Sequence, residues 1–334
     1  MVAEFDVNGG KAKGAGRQLV HDHREVVDLD KGHADDHAAP AIIQDVTRDR
    51  LLLATSYHGS DLFLYEKPLG SAQPFKPLVQ IAGRYTYPRF LLANGETFLL
   101  ARRQSEGVLD GDLVMRSSRD GFASEQVVIP SREGHVIYAS IPAIHESSMY
   151  IQYSTLSYES RRLEGWDLVE YDLDSGAIKK GVDLSGLMPR ECAHNRPTGL
   201  AVDEDVITAS TACFRQGFEP AKPEYRFFSR RNDIRILELP RERLGASHAQ
   251  VIHDGEAIAP YYHTSVSIHP DGTWVYFDEA EIRSNREVPS ACRPTSLSMY
   301  PNLTSSALYH AVPVHGFYES RNFHNELHRC TWTR

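Results

Sequence analysis

The chain is short of the features that mark several protein classes. Only four cysteines, Cys192, Cys213, Cys292 and Cys330, stand among 334 residues, with no C-x-x-C spacing. That argues against a zinc ribbon or a dense disulfide framework and leaves buried thiols as the default reading. No apolar run approaches the roughly 20 residues that cross a bilayer as a helix. Met1 to Arg24 lack the apolar centre of a signal peptide, so a soluble chain without membrane contact is expected. Basic residues are in deficit, 36 Lys and Arg against 45 Asp and Glu, for a formal charge of -9. General nucleic-acid affinity is thereby excluded, because phosphate binding needs a basic surface that releases counterions. An anionic polymer would have to be met by a local cluster of Arg and His. Helical periodicity is nearly absent too, which rules out a helical bundle.

What the chain has is a repeat. One phrase recurs five times: a His or Tyr, then Pro or a small residue, an alternating apolar strand, a polar turn and a second apolar strand. The copies occupy residues 33 to 58, 85 to 104, 135 to 158, 192 to 215 and 259 to 282. Further strands follow at Asp61 to Glu66, Asp112 to Ser117, Trp166 to Leu173 and Asp233 to Leu239. Three or more antiparallel strands per repeat make the blade of a β-propeller. The expected fold is therefore all-β, a single propeller domain over 1 to 334 with four-stranded antiparallel blades, residues 1 to 30 and 300 to 334 completing a closing blade. A two-sheet sandwich is the structural alternative. Ala93-Asn94-Gly95, Asp174-Ser175-Gly176 and Pro270-Asp271-Gly272 supply the positive-φ residues of tight hairpins.

In such a fold the residue heading each innermost strand faces the rim, which would gather His37, Tyr87, Tyr138, His194 and His263. Polar residues there are hard to explain as core, since strand interiors select Val, Ile and Leu.

Two motifs carry a resemblance. D-D-H-x-x-P-A at Asp35 to Ala41 and Y-T-Y-P followed by glycine at Tyr85 to Gly95 resemble the BNR-4 propellers that include the ulvan lyases of polysaccharide lyase families 24 and 25. The resemblance spans roughly residues 30 to 280 and implies seven blades, where the repeats show five. It also implies cleavage of a uronate-containing, sulfated rhamnose-glucuronate or iduronate polysaccharide by β-elimination, with His37, His58, Tyr87 and Arg103 as catalytic residues. The chemistry suits these residue types. Elimination needs the uronate carboxylate neutralised, a base for the C5 proton and an acid for the departing O4. Arg103 would clamp the carboxylate, Tyr87 and His37 would carry protons, and His58 would bind the carboxylate or hold its neighbours. Arg102 competes with Arg103, because adjacent strand residues face opposite ways. A capped turn or an ion held by Asp35 and Asp36 is the plainer reading of His37, and packing that of Tyr87.

Arg89, Arg102, His135, Tyr138, Asn195 and Arg196 are candidate contacts to sulfate or sugar hydroxyls. Cys192, His194, Cys213 and His263 have the donors for a structural zinc, although buried thiols are the stronger reading. Propellers of this resemblance carry structural divalent cations, zinc or calcium, while the elimination itself requires no cofactor. The resemblance also implies a secreted or periplasmic monomer whose partner is an anionic polysaccharide. Three rivals stand beside the lyase. Ser118-Arg119-Asp120-Gly121 is a worn Asp box, which supports fold but not a sialidase. A hydrolase or lyase on rhamnose-glucuronate plant gums would reuse the same His residues. A non-catalytic carbohydrate-binding propeller would use them as contacts alone.

Overall fold

A computed structural model describes residues 42–47, 50–56, 61–68, 76–104, 111–157, 159, 162–189, 192, 194–214, 229–260, 265–278, 281–288, 299–303, 307–313 and 325–331. Among them regular structure is almost entirely strand, in six antiparallel sheets. The first runs β1 (Ile42–Thr47), β2 (Arg50–Ser56), β3 (Leu62–Pro68), β4 (Lys76–Ile81), and the second β5 (Tyr85–Ala93), β6 (Glu96–Arg103), β7 (Leu113–Ser117), β8 (Gln126–Ile129). The third holds β9 (His135–Ala139), β10 (Ala143–His145), β11 (Ser148–Ser157), β12 (Arg162–Asp172) and β13 (Ala177–Asp183), with β9 and β10 both beside β11. The fourth is β14 (His194–Val202), β15 (Val206–Phe214), β16 (Ser229–Pro240), β17 (Gln250–Pro260). Two three-stranded sheets follow, β18 (Val266–Ile268), β19 (Trp274–Asp278), β20 (Glu281–Ser284), and β21 (Met299–Leu303), β22 (Ala307–Pro313), β23 (Asn325–Thr331).

Sheets made of neighbouring strands in chain order are the blades of a β-propeller. The five sequence repeats are the opening hairpins of the first five sheets. The first strands also lie beside one another, β1 with β5, and β10, β14, β18 and β21 in succession. The sixth sheet follows no visible copy of the repeat, and two of the sheets have three described strands rather than four. The described chain falls into two compact units that divide between Ile137 and Tyr138.

Local chemistry sets these elements. Asn94 and Gly95 take φ of 51° and 75°, closing the β5–β6 hairpin, and Gly176 and Gly272 close β12–β13 and β18–β19 at 69° and 79°. The worn Asp box is a hairpin device. Asp120 accepts from the backbone N–H of Ala123 at 3.1 Å and Ser124 at 2.9 Å, and Ser118 Oγ accepts from Thr97 N at 3.0 Å.

In the first unit Leu52, Leu62, Leu64, Phe90, Leu99, Val114 and Phe122 form one buried cluster. Truncating such a leucine to alanine costs about 2–5 kcal/mol. In the second unit one core gathers Tyr150, Trp166, Leu168, Ile207, Leu237 and Leu239, and another Ile234, Ile236, Val266, Trp274 and Tyr276. Gly199 on β14 belongs to the contact with β18, since a Cβ there would stand 2.6 Å from the Val266 carbonyl oxygen. Among the described residues no helix is long and apolar enough to cross a membrane.

Candidate functional site

Among the described residues, the richest ionic cluster lies on the second sheet, where β5 begins and β6 ends. Tyr85 pairs with Arg103 and Thr86 with Arg102 across that hairpin, and the register shifts before Arg89 pairs with Leu100. Tyr87 belongs to the shifted stretch. A 16-residue separation between Tyr87 and Arg103 is thus an out-and-back strand pair, which returns both residues to one end of the sheet.

Arg103 is held at both ends of its guanidinium. Nη2 donates to Asp112 Oδ2 at 2.7 Å and Nη1 to Glu125 Oε1 at 2.5 Å, yet 42% of its side chain remains exposed. Burial works against the charge of Arg103, but the Asp112 hydrogen bond and the Glu125 and Asp112 charges outweigh it and raise its pKa. Asp112 is fixed in turn. Ser131 N–H donates to its Oδ1 at 2.9 Å, and Arg103 N–H donates to its backbone carbonyl at 2.9 Å. Gly111 makes that approach possible, because a Cβ would collide with the Arg103 carbonyl.

Glu125 is shared. Its Oε2 accepts from Tyr85 Oη at 2.7 Å and from Arg116 Nη2 at 3.0 Å. Arg116 also donates to Tyr85 Oη at 2.9 Å, to the carbonyls of Phe122 and Ala123, and lies 5.8 Å from the Tyr85 ring centroid, a cation–π arrangement. Burial first, then the hydrogen bond to Glu125, raises the Tyr85 pKa, with Arg116 opposing in part. Tyr85 is therefore a neutral phenol that braces the carboxylate.

Arg102 has a different fate. Only 8% exposed, it donates from Nε to Thr86 Oγ1 at 2.9 Å and from Nη1 to the Ile137 carbonyl at 3.4 Å. Of the two competing arginines, Arg103 is the one open to solvent. Arg89 donates to the Pro88 carbonyl at 3.1 Å, and His135 Nδ1 lies 2.9 Å from the Glu133 carbonyl oxygen. Tyr138 and Arg196 are half-buried on β9 and β14. His37, His58 and His263 lie outside the described residues, as do the side chains of Tyr87 and His194. Tyr85, Asp112, Arg116 and Glu125 escaped the sequence reading. Tyr85 lies directly across the hairpin from Arg103, and the other three are reached by following the sheet outward from Arg103 to β7 and the start of β8.

Two expectations are corrected in the second unit. Cys192 and Cys213 form a disulfide with Cα atoms 5.4 Å apart, well inside the range such bonds require. They are neither free thiols nor zinc ligands, because both sulfurs are committed to each other. Asn195, expected at a sugar hydroxyl, is fully buried. Its Nδ2 donates to the Gly165 carbonyl at 3.0 Å, its carbonyl accepts from Ser154 Oγ at 2.9 Å, and its Oδ1 accepts from Thr211 Oγ1. Beside it Gln152 accepts from Trp166 Nε1 at 3.0 Å and donates to the Gly199 carbonyl at 2.5 Å. This neutral network ties β11, β12, β14 and β15 together and offers nothing to a ligand. Among the described residues no group of three or more His, Cys, Asp or Glu is placed to hold a metal.

No family's sequence pattern matches the chain, and no curated protein matches it in sequence. Its fold does have solved counterparts. An α-L-arabinofuranosidase from Fusarium graminearum, in complex with an iminosugar inhibitor, is 12% identical over 89% of this chain and 94% of its own, with a TM-score of 0.54. A point mutant of the same enzyme gives 11% identity, coverage of 88% and 93%, and a TM-score of 0.53. At such identity the likeness speaks for the fold.

Proposed function

We propose that this propeller is a carbohydrate-active enzyme, a polysaccharide lyase that cleaves a uronate-containing polymer by β-elimination. The observation that carries the reading is the β5–β6 register, which returns the exposed Arg103 guanidinium to the end of the sheet where Tyr85-Thr86-Tyr87-Pro88 begins. Arg103 pairs with the uronate carboxylate and makes the C5 proton more acidic. Tyr87, as its phenolate, takes that proton, the C4–O4 bond breaks, a C4–C5 double bond forms, and the departing oxygen receives a proton from the resulting Tyr87 phenol or from a protonated His37. Where proton and leaving oxygen share a face, as in glucuronate, one tyrosine serves both steps. For iduronate His37 acts from the opposite face. His58 steadies the carboxylate. The sulfated rhamnose-uronate polymer ulvan is the substrate the motifs favour, with the protein acting as a monomer. The Cys192–Cys213 disulfide supports an oxidising compartment, secreted or periplasmic.

A second reading is a propeller glycoside hydrolase, including one acting on rhamnose-glucuronate gums. The arabinofuranosidase likeness and the two carboxylates flanking Arg103 favour it. Purified protein offered ulvan, a plant gum and arabinan separates the two. Elimination yields one ultraviolet-absorbing unsaturated uronate for each new reducing end, whereas hydrolysis yields reducing ends alone. Binding without either product would leave a carbohydrate-binding propeller.

A further inference from the structure

The ionic cluster is balanced: Arg103 and Arg116 carry two positive charges, Asp112 and Glu125 two negative ones. A substrate carboxylate approaching Arg103 therefore meets a guanidinium already paired at both ends, and one of its partners has to yield. The two partners differ in how they are tied. Asp112 is itself tied to Arg103 through the backbone, its carbonyl accepting from Arg103 N–H, and its second carboxylate oxygen accepts from Ser131 N–H. Glu125 has the longer side chain, and its second oxygen is already satisfied by Tyr85 and Arg116. Once it lets go of Arg103, Glu125 is still a paired carboxylate.

Resting on the reading of Arg103 as a carboxylate clamp, we propose that Glu125 occupies the substrate carboxylate's place on Arg103 and is displaced by it. Asp112 is the positioning residue that keeps the guanidinium aimed during the exchange. Arg116 and Tyr85 receive Glu125 when it moves. The affinity of the site for a uronate is then set by a competition within the protein, and neutral sugars do not feel it.

The test is equilibrium binding of glucuronate, with glucose as the neutral control, followed by ligand line broadening in NMR. Glu125→Gln removes the competitor's charge and should tighten glucuronate binding about five-fold, the scale of a partly exposed ion pair. Tyr85→Phe and Arg116→Gln strip Glu125 of its alternative partners and should weaken it. Asp112→Asn should weaken it too, with glucose binding unchanged throughout. A cluster that is merely structural would weaken binding in every variant. Glu125→Ala removes the same competing charge and should also tighten glucuronate binding, which keeps the test open should Glu125→Gln fold poorly. Tighter binding by Tyr85→Phe, or unchanged or weaker binding by a natively melting Glu125→Gln, overturns the proposal while leaving the clamp in place. Undiminished glucuronate binding by Arg103→Gln, or none by wild type and Glu125→Gln alike, overturns the clamp and the proposal together.

Discussion

Arg103 and Asn195 hold comparable places in two repeats. Each stands near the open end of an opening hairpin, Arg103 across from Tyr85 and Asn195 across from Cys213. Around Arg103 the partners are charged, and part of the guanidinium faces solvent. Around Asn195 every partner is a neutral hydroxyl or a backbone carbonyl, and nothing faces solvent. At its Arg103 end the ionic cluster contributes little to stability, because water reaches that guanidinium and screens its pairs, but it keeps charge available for a ligand. A buried neutral network does the reverse: each lost partner strands a polar group away from water. Position at the open end of a hairpin does not separate the two cases; burial does.

That contrast can be broken from either side. The largest expected effect is on the ionic side: Arg103→Gln should reduce turnover about 10²–10³-fold, the range for losing one charge-stabilising donor, while shifting stability by about 1 kcal/mol or less. Comparable losses of stability and activity would erase the distinction. On the buried side, Gln152→Ala leaves Trp166 Nε1 and the Gly199 carbonyl without their partner, and should cost about 3 kcal/mol in urea unfolding. Replacing both Cys192 and Cys213 by serine opens a loop closed across 21 residues and should cost up to about 3 kcal/mol, read as a lowered melting temperature that reductant also produces in the native protein. The smallest effect concerns His253, whose Nε2 lies 3.0 Å from Tyr276 Oη and whose ring packs against Trp274. Burial lowers the His253 pKa, with Asp254 opposing. The folded state therefore favours neutral His253 while the unfolded chain protonates near its ordinary value. Its contribution is present above that value and is lost as pH falls through the lowered folded value. The pH dependence of stability should be flatter in His253→Gln over that interval, and identical curves would place the acid sensitivity elsewhere.

Much of the fold was legible because hairpins are local. Alternating apolar residues, a turn with Asn-Gly or Asp-Gly and a second apolar run specify an opening hairpin without any knowledge of its neighbours. The sheet from Met299 to Thr331 was anticipated only as the 300 to 334 part of a closing blade, because its first strand, MYPNL, carries a proline and too little alternation to show the repeat; residues 1 to 30, its expected other part, lie outside the described residues. The Cys192–Cys213 bond was within reach of the same reasoning that joined Tyr87 to Arg103. Both cysteines lie in one repeat copy, 21 residues apart, and an out-and-back hairpin brings them face to face; judged by C-x-x-C spacing alone they looked unrelated. Glu125 was harder. Its place beside Arg103 depends on the lateral order of four strands and on side-chain reach, neither of which the periodicity of one strand encodes.

The most direct test of the account is the ultraviolet absorbance of wild-type protein and Tyr87→Phe incubated with ulvan. The wild type should give a steady rise from unsaturated uronate ends and the variant a flat trace, with both proteins melting alike. New reducing ends without absorbance, or equal rises in the two proteins, would contradict it.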